Sequence, residues 1–554
     1  MMPDCSFTTV FTSSHMQDLF IEYNLLVVII LALVMLANWL RLAYPIVLVL
    51  GGLALGFTGL FSNIGIDPEL VFFIFLPPLL YEAAWQVSWK EFWKWRRAIA
   101  AFAFPVVIIN ATVVALISSW LIPGFSLALG FLLGGIVSPP DAVSATTIMR
   151  RVKVPKVIVT ISEGESLLND ASSLIIFRFA LAAIVTGQFY FSDAAVSFVL
   201  AVVMGTLIGL LVALAFYAVH RWLPTTTGVD VVLTFIAPYF MYYFAEHFHF
   251  SGVLAVVSGG LLLSGRRDTM LNYRTRIEGV NVWNNLIFVL NGFVFMLIGL
   301  QLPAIVNGLG QISLFTAAWY AVLISFVLIV TRLVCTLGGS VLTTFMSRFI
   351  QVAEAHPGWR NPVITGWAGM RGVISLAMAL SIPLVINEGQ PFPYRELILF
   401  ITFVVILVTL VFQGLTLPWV IRKVKPEDIY VAIPERTQEV IMQKKVAHAS
   451  LEFLNDNYAD ERSGNKHLEN LYDRLQIDLN YFLQECTRES DPRDVSLDRF
   501  YTIYLEMLDR QRRQLNEMNH LHEFNEELIR KYQALIDIEE YKVHEKQLPA
   551  EAME

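Results

Sequence analysis

Residues 161–173 read Ile-Ser-Glu-Gly-Glu-Ser-Leu-Leu-Asn-Asp-Ala-Ser-Ser, and they lie inside an otherwise apolar segment, 157–186. Such a segment is long enough to cross a bilayer as an α-helix. At about 100° per residue, Ser166, Asp170 and Ser173 share one face of this helix. Asp170 lies about 20 Å from the start of the segment, near the middle of the membrane. A charge at this depth costs roughly 2.5–3.5 kcal/mol on insertion scales, so its presence predicts a functional site.

The composition of the whole chain also favours a membrane protein. Its 554 residues are 56% apolar and 16% charged, with a mean hydropathy of +0.59, whereas soluble domains carry about 25% charge. The last 134 residues hold 47 charged residues and the first 420 hold 39. This asymmetry predicts an extracytoplasmic segment over 1–18, a transmembrane domain over 19–421 and a cytoplasmic acidic helical tail over 422–554. The net charge of −8 belongs to the tail and argues against nucleic acid as a partner.

Thirteen segments are long and apolar enough to be counted as membrane spans, which predicts an all-α polytopic protein. The segments are 19–40, 42–61, 69–88, 98–121, 126–148, 157–186, 194–219, 228–248, 250–265, 281–303, 311–345, 362–386 and 395–421.

Basic residues in the loops between these spans set the orientation. The loops after spans 3, 5 and 9 each carry four Lys or Arg residues, and those after spans 1, 7 and 11 carry one or two. The loops after spans 2, 4, 6, 8 and 10 carry none, and the loop after span 12 carries only Arg395. Because basic residues mark cytoplasmic loops, the alternation predicts an N-terminus outside and a C-terminus in the cytoplasm.

Two spans contain sequences that a continuous helix does not accommodate. Residues 134–144 read Gly-Gly-Ile-Val-Ser-Pro-Pro-Asp-Ala-Val-Ser and place Asp141 directly after two prolines. Residues 367–373 read Trp-Ala-Gly-Met-Arg-Gly-Val and place Arg371 between glycines, which weaken a helix. Broken helices at membrane depth line cavities and expose helix ends that bind ions. An acid in one and a base in the other predict inverted repeats, spans 1–6 and 8–13, joined by span 7.

Eight ionisable residues in the spans are candidates for a functional site, because charges in lipid need a reason. They are Glu82, Asp141, Glu163, Glu165, Asp170, Arg178, Arg332 and Arg371. Glu82 follows two prolines whose missing donors leave carbonyl groups free nearby, although its side chain can also reach toward Lys90. Glu165 shares a different helix face with Asn169 and is interpreted as a structural carboxylate with a cationic partner, for which two span arginines are available.

Sequence motifs of other functional classes are missing. The chain has no GxxxxGK[ST] loop, no glycine-rich dinucleotide turn after a strand and no Cys/His spacing typical of zinc. We therefore predict neither ATP-driven transport, nor an enzyme, nor a cofactor. Carboxylate and hydroxyl oxygens without thiolate or imidazole suit Na⁺, Li⁺ or K⁺.

Six stretches of the sequence resemble the monovalent cation:proton antiporters, and more narrowly the bacterial sodium/proton exchangers of the first such family, which are relatives of animal and plant exchangers. The stretches are Phe75–Trp85, Ser138–Ala145, Gly164–Asp170, Phe250–Leu254, Asn291–Gly299 and Gly369–Gly372. The similarity covers about residues 20–421. The Gly-Glu-Ser-Leu-Leu-Asn-Asp run in a membrane helix is its most specific part.

The resemblance implies a fold and a set of site residues. The fold has thirteen helices, with two crossed broken helices in a core domain, and forms a homodimer. Asp170 is then the carboxylate that alternately binds cation and proton, and Ser166, Asp141 and Glu82 lie at or beside the ion. Asn169 matches the Asn that distinguishes electroneutral relatives from electrogenic ones with two acids.

The resemblance also assigns the charged residues that do not bind the ion. Glu165 and Arg332 match a buried ion pair, and Arg371 matches the arginine of the second broken helix. The chain departs from many relatives, which have Ser-Pro-Thr-Asp-Pro, because Pro140 replaces Thr and Ala142 replaces the second Pro. The main-chain carbonyl of Pro140 can still bind an ion, whereas the Thr hydroxyl is lost.

These patterns predict a secondary transporter in the bacterial plasma membrane that exchanges Na⁺, or Li⁺ or K⁺, for protons one to one and serves pH homeostasis. Its partners would be these ions, membrane lipid and a second copy of the chain. We expect Arg371 and the half-helix ends to keep Asp141 ionised. An anion or organic-acid transporter, a cation channel and a sensor acting through its tail are the alternatives. The tail's predicted helical hairpins regulate, dimerise or only present a solvated face.

Overall fold

A computed structural model gives the structure of most of the chain. The residues it describes are 13–58, 61, 71–152, 154–187, 191–310, 312–349, 354, 357–386, 390–426, 435–462, 464–487, 495–519 and 526–547. The chain divides into two compact units, Met1–Glu427 and Asp428–Glu554. Each unit is built almost entirely from helices.

The first unit contains eighteen α-helices among its described residues, and one small antiparallel strand pair, β1 (Val385–Ile386) with β2 (Gln390–Pro391). The helices are α1 (Ser13–Leu40), α2 (Tyr44–Gly56), α3 (Leu76–Gln86), α4 (Trp89–Ala101), α5 (Val107–Leu121), α6 (Leu127–Val137), α7 (Ala142–Val152), α8 (Lys156–Thr186), α9 (Phe191–Trp222), α10 (Thr227–His247), α11 (Gly252–Met270), α12 (Tyr273–Leu300), α13 (Leu302–Gly308), α14 (Leu314–Met346), α15 (Arg360–Trp367), α16 (Val373–Leu380), α17 (Arg395–Leu407) and α18 (Gly414–Val424). Short π-helical turns precede α3, join α4 to α5 and join α17 to α18.

Nine helical stretches within the described ranges are long and apolar enough to cross a membrane. They are Ile21–Leu40, Trp89–Leu121, Leu127–Val152, Lys156–Thr186, Val196–Trp222, Thr227–His247, Tyr273–Gly308, Leu314–Met346 and Arg395–Val424. Large apolar side chains such as Trp39 and Trp120 are exposed on them, as expected of surfaces that face lipid. The prediction of an all-α polytopic membrane protein is confirmed.

Several helices extend beyond the apolar segments that predicted them. The segment 98–121 belongs to a helix that already begins at Trp89, so Lys90 and Arg97 lie in helical turns and not in a loop. These turns are amphipathic, with Phe92 and Trp95 buried against the protein. Hydropathy locates the residues that lie in the hydrocarbon region, whereas the ends of a helix are set by where its backbone hydrogen bonds stop.

The helices of the first unit pack in two groups. The first group contains α4 to α8 and α14 to α18, and the second contains α1 to α3 and α9 to α12. Helix α8, which carries Asp170, packs mainly on α6 and α4 of its own group and touches α11, α3 and α9 of the other. Asp170 therefore lies on a helix that contacts both groups.

The second unit contains four described helices. They are α19 (Glu435–Arg462), α20 (Lys466–Thr487), α21 (Val495–Asn519) and α22 (Glu526–Gln547). Consecutive helices pack in pairs, α19 with α20 and α21 with α22. In the second pair, Arg512 of α21 binds Asp537 of α22 at 2.7 Å and also contacts Glu540.

Candidate ion-binding site

The first predicted helix break lies between α6 and α7. Helix α6 ends at Val137 and α7 begins at Ala142, so the prolines at 139 and 140 stand in the gap. Proline lacks a backbone donor and restricts the residue before it, which prevents the helix from continuing. The backbone N–H of Asp141, in this gap, donates to the carbonyl of Met370 at 2.7 Å. Met370 lies in the second break, so this hydrogen bond joins the two breaks.

The Asp141 carboxylate caps the helix that follows it. Its Oδ1 accepts from the amide of Val143 at 3.0 Å, and its Oδ2 accepts from the hydroxyl of Ser144 at 2.7 Å. An aspartate at this position satisfies free amides and interacts favourably with the positive end of the helix dipole. The N-terminus of α7 is therefore the group that stabilises the charge of Asp141.

The second break lies between α15, which ends at Trp367, and α16, which begins at Val373. Arg371 in this break is fully buried. Its Nε donates to the carbonyl of Val137 at 3.0 Å, and its Nη1 donates to the carbonyl of Gly369. Arg371 thus faces the C-terminal end of α6, and among the described residues it makes no hydrogen bond to Asp141. A helix C-terminus offers free carbonyls and negative potential, which attract a guanidinium.

Three polar side chains of α8 bind the first break. Ser166 accepts a hydrogen bond from the amide of Ala142 at 3.2 Å. Asn169 donates to the carbonyl of Pro140 at 3.0 Å, and Ser173 donates to the carbonyl of Gly135. The predicted faces of Ser166 and Asn169 differ, but the two side chains lie only about 60° apart around the helix axis, so both reach the break.

Asp170 differs from these neighbours in its hydrogen bonding. Only 4% of its surface is exposed. Its carboxylate has no hydrogen bond or salt bridge to any residue that the structure describes, and the charge of Asp141 acts on it. The oxygens around the first break, from Asp141, Ser166 and the Pro140 carbonyl, are of the kind that hard monovalent cations bind.

Glu165 and Arg332 form a buried ion pair one helical turn before Asn169. Nη1 of Arg332 lies 2.7 Å from Oε1 of Glu165, and Nη2 lies 2.8 Å from Oε2. Both side chains are at most 2% exposed. The pair joins α8 to α14, and Arg332 also packs against Gly369, where an added Cβ would collide with its side chain.

Glu82 lies at the edge of a cavity of about 300 Å³ in the second helical group. It is half-buried, accepts a hydrogen bond from Gln86 and lies beside the aromatic rings of Tyr81 and Trp85. Two other charges act on it, from Arg150 and Glu163, which are 3.2 Å apart. Glu82 therefore belongs to a partly open vestibule, whereas Asp141 and Asp170 belong to the buried break.

Two further ion pairs involve residues that the sequence argument omitted. Arg178 of α8 binds Glu246 of α10 at 2.6 Å, and Glu246 also accepts from the amide of Gly252 at 3.1 Å. His220 and Asp230 are buried and 2.9 Å apart. Glu246 and Asp230 both lie in the predicted segment 228–248, so the rule that selected the eight candidates also applies to them.

Comparisons with known proteins point to one family. A family described as sodium/hydrogen exchanger, transmembrane, matches residues 25–423. The chain is 33% identical over 459 residues to a sodium, potassium, lithium and rubidium/H⁺ antiporter of Bacillus pumilus, covering 79% of this chain and 67% of that protein. It is 30% identical over 516 residues to an uncharacterized Na⁺/H⁺ exchanger of Mycobacterium tuberculosis, covering 91% and 92%.

A solved structure shares the fold. The sodium proton antiporter MjNhaP1 of Methanocaldococcus jannaschii superposes with a TM-score of 0.60 at 17% identity, covering 74% of this chain and all of that chain. The resemblance found in the sequence is therefore confirmed at the level of family and fold.

Proposed function

This chain belongs to the sodium/hydrogen exchanger family, and from that membership we propose that Asp170 binds a monovalent cation and a proton in turn. The protein exchanges monovalent cations for protons across a membrane and is a transporter. Na⁺ is the proposed substrate, with Li⁺ and K⁺ as alternatives, since the Bacillus relatives are named for all three.

One observation carries the assignment to Asp170. It is the buried carboxylate with no described hydrogen-bond partner, while Asp141 and Glu165 are each held by two donors or more. A carboxylate away from water is costly to leave both ionised and unpaired, so it takes up either a cation or a proton. The two ions then compete for the same oxygens, and this competition is the basis of exchange.

The residues around the first break supply the other proposed ligands. Ser166 uses one hydroxyl lone pair for the Ala142 amide and keeps a second for the ion. The Pro140 carbonyl, held by Asn169, likewise keeps one lone pair. Asp141 supplies a nearby negative charge. The side chain of the missing Thr is thus replaced by main-chain and neighbouring oxygens.

Glu82 is proposed as an ion-binding carboxylate of the cytoplasmic route. It lines the vestibule and lies apart from the hydrogen-bonded break. Arg150 and Glu163 carry opposite charges 3.2 Å apart, and Arg267, Asp268 and Arg276 also line the cavity, so its lining has no net negative charge.

Thirteen spans follow if four shorter elements join the nine apolar stretches. These are α2, the stretch from Val71 to Gln86, α11, and the interrupted pair α15 and α16. Spans 5 and 12 are then the broken helices, crossed at the Asp141–Met370 hydrogen bond, and spans 1–6 and 8–13 are inverted repeats.

Alternating access is a movement of the two helical groups against each other, and only a loaded Asp170 crosses, so exchange is obligatory.

We place the protein in the bacterial plasma membrane as a homodimer, with its N-terminus outside and its tail in the cytoplasm. Residues 1–18 then lie outside, 19–421 transport ions and 422–554 form a cytoplasmic helical domain.

Anion transport is not favoured, because Arg332 is paired with Glu165 and Arg371 binds carbonyl groups. A channel is not favoured either, because a single exchangeable carboxylate suits alternate binding better than conduction.

Asp170→Asn tests the proposal. This variant keeps the shape of the side chain but cannot exchange a proton for a cation, so Na⁺-dependent dequenching of a pH dye in everted vesicles should fall to background. The matched control is Asp456→Asn, which removes an exposed carboxylate of α19 and should leave exchange unchanged. Substantial exchange by a folded Asp170→Asn protein, checked by gel filtration, would overturn the mechanism.

A further inference from the structure

A second cavity, of about 580 Å³, lies where the ends of α1, α7 and α18 meet the start of α2. Three arginines line it, Arg41, Arg151 and Arg422, and we call it the arginine cavity. None of the described lining residues is acidic. The topology under Proposed function places all of these helix ends on the cytoplasmic side, and the inference below rests on that topology.

The arginines of this cavity are positioned by neutral oxygens. Arg151 donates to the carbonyl of Leu42 at 2.8 Å and to the side chain of Asn38 at 3.3 Å. Arg422 donates through Nε to the carbonyl of Pro418 at 3.2 Å. None of the three has a salt bridge to a described carboxylate, in contrast to Arg150, Arg178 and Arg332. Three positive charges are therefore gathered with no negative charge among them.

Arg41 adds a local feature of the backbone. Its φ of +57° lies in the left-handed region, which residues other than glycine seldom adopt. This conformation turns the chain between α1 and α2 and brings Leu42 to Arg151. The turn thus places Arg41 and Arg151 at the same cavity.

The chemistry of the cavity fits a phosphate group. A guanidinium offers five N–H donors in a planar fork that matches phosphate oxygens, and the observed bonds use only some of these donors. Apolar side chains of Ile46, Ile148 and Leu415 form the remaining wall. Basic pockets between membrane helices on the cytoplasmic side are typical sites for anionic lipid head groups.

We propose that the arginine cavity binds the phosphate of an anionic phospholipid of the cytoplasmic leaflet. Charge complementarity selects an anion, and the apolar wall beside the arginines selects one that carries acyl chains. The cavity contains residues from both helical groups, since Arg41 belongs to the second and Arg151 and Arg422 belong to the first. The bound lipid therefore stabilises the arrangement of the two groups seen here.

Thermal unfolding of the full chain in nanodiscs tests this site. Discs of phosphatidylcholine are compared with discs that also contain phosphatidylglycerol, and inorganic phosphate is added to phosphatidylcholine discs in a third arm. The test variant combines Arg41→Gln, Arg151→Gln and Arg422→Gln. The matched control combines Arg97→Gln, Arg274→Gln and Arg348→Gln, which removes the same charge from exposed positions outside the cavity.

Phosphatidylglycerol should raise the Tm of the wild type and of the control by about 2–4 °C, and that of the test variant by less than half as much. Inorganic phosphate should reproduce little of the shift. Equal shifts in test and control variants would overturn the site. A full shift with inorganic phosphate would overturn the lipid and assign a soluble anion. If the Tm of the test variant is lowered by the same amount in both kinds of disc, the arginines make stabilising contacts within the protein, and the lipid site would be overturned.

Two further variants separate this inference from folding and from exchange. If the triple variant does not fold, Arg422→Gln alone should reduce the lipid shift, because this side chain is exposed and its one hydrogen bond is local. An unchanged shift in that variant would count against the site. Asp170→Asn should keep the full lipid shift although it transports nothing, so the lipid site and the exchange mechanism can fail independently.

Discussion

The two helix breaks carry opposite charges and use them in different ways. The first break holds Asp141 and the second holds Arg371, and the Asp141–Met370 hydrogen bond joins them. Asp141 binds the N-terminal end of α7, which belongs to its own break. Arg371 reaches across and binds the carbonyl of Val137 at the end of α6. Both charges therefore compensate ends of the same interrupted span.

This difference supports the proposal that Asp170 is the carboxylate that exchanges ions. In lipid, the free amides and carbonyls of a broken helix need partners. Asp141 and Arg371 supply them, and each is held in place by the backbone that it satisfies. Asp170 lies on the adjacent helix and satisfies no described backbone group. The breaks thus hold two charged side chains that bind backbone groups, beside one carboxylate that binds none that the structure describes.

The largest expected effect is the loss of stability when the ion pair beside the second break is broken. Arg332 packs on Gly369 and binds Glu165. Removing one partner of a buried ion pair leaves the other charge unpaired, so Arg332→Ala or Glu165→Ala should each cost about 3–5 kcal/mol of stability. Thermal unfolding of purified protein measures the loss.

The double replacement by neutral residues is the control for this pair. The Glu165→Ala, Arg332→Ala double variant should lose less stability than the two single losses added together, because no charge is then left buried. Losses that simply add in this cycle would contradict the pairing.

The next effect separates the two breaks directly. Arg371→Gln loses charge-assisted hydrogen bonds to two carbonyls, and at roughly 1.5–3 kcal/mol for each such bond it should destabilise the protein by about 3 kcal/mol. Asp141→Asn should change stability by less than about 1 kcal/mol, because asparagine is also a good N-cap. Exchange should nevertheless fall in Asp141→Asn, since the charge beside Asp170 is lost. Equal stabilities of the two variants would mean that the breaks do not differ as described.

A smaller effect should follow from filling the contact between the breaks. A Cβ on Gly372 would lie 2.6 Å from Oδ2 of Asp141, so Gly372→Ala must move that carboxylate. We expect a loss of roughly 1–3 kcal/mol and a lower apparent affinity for Na⁺. Gly338→Ala is the control, because a Cβ there meets nothing within 4 Å and alanine favours a helix. An unchanged affinity in Gly372→Ala would show that the position of Asp141 does not matter to the ion.

The sequence was sufficient to predict the family, the membrane fold and the positions of both breaks, because each rests on a strong local constraint. Prolines at 139 and 140 cannot continue a helix, and a carboxylate such as Asp170 in an apolar segment is costly. The ion-binding roles of the site residues remain predictions that the proposed variants test.

The partners of the charges could not be predicted in the same way. Arg371 binds Val137, which is 234 residues away, and nothing in either local sequence indicates that contact. The arginine cavity likewise joins three distant helix ends. Loop charge predicts the side of the membrane on which such arginines lie, but only packing decides whether they meet a carboxylate, a carbonyl or each other.

The last prediction is that membrane potential has no effect on exchange, and it tests how many protons move in each cycle. Asn169 precedes Asp170 and cannot titrate, and Asp141 is held by its helix cap, so we expect one carboxylate to exchange one proton for one Na⁺. A cycle that moves no net charge gains nothing from the membrane potential, whereas one net charge would gain about 2.3 kcal/mol per 100 mV. The pH gradient at which flux reverses in liposomes should therefore be the same with and without a valinomycin-clamped potential. A reversal point that shifts with potential would show that a second proton moves. Glu82 in the vestibule would be its first candidate carrier, and in that case Glu82→Gln should abolish the shift while exchange continues.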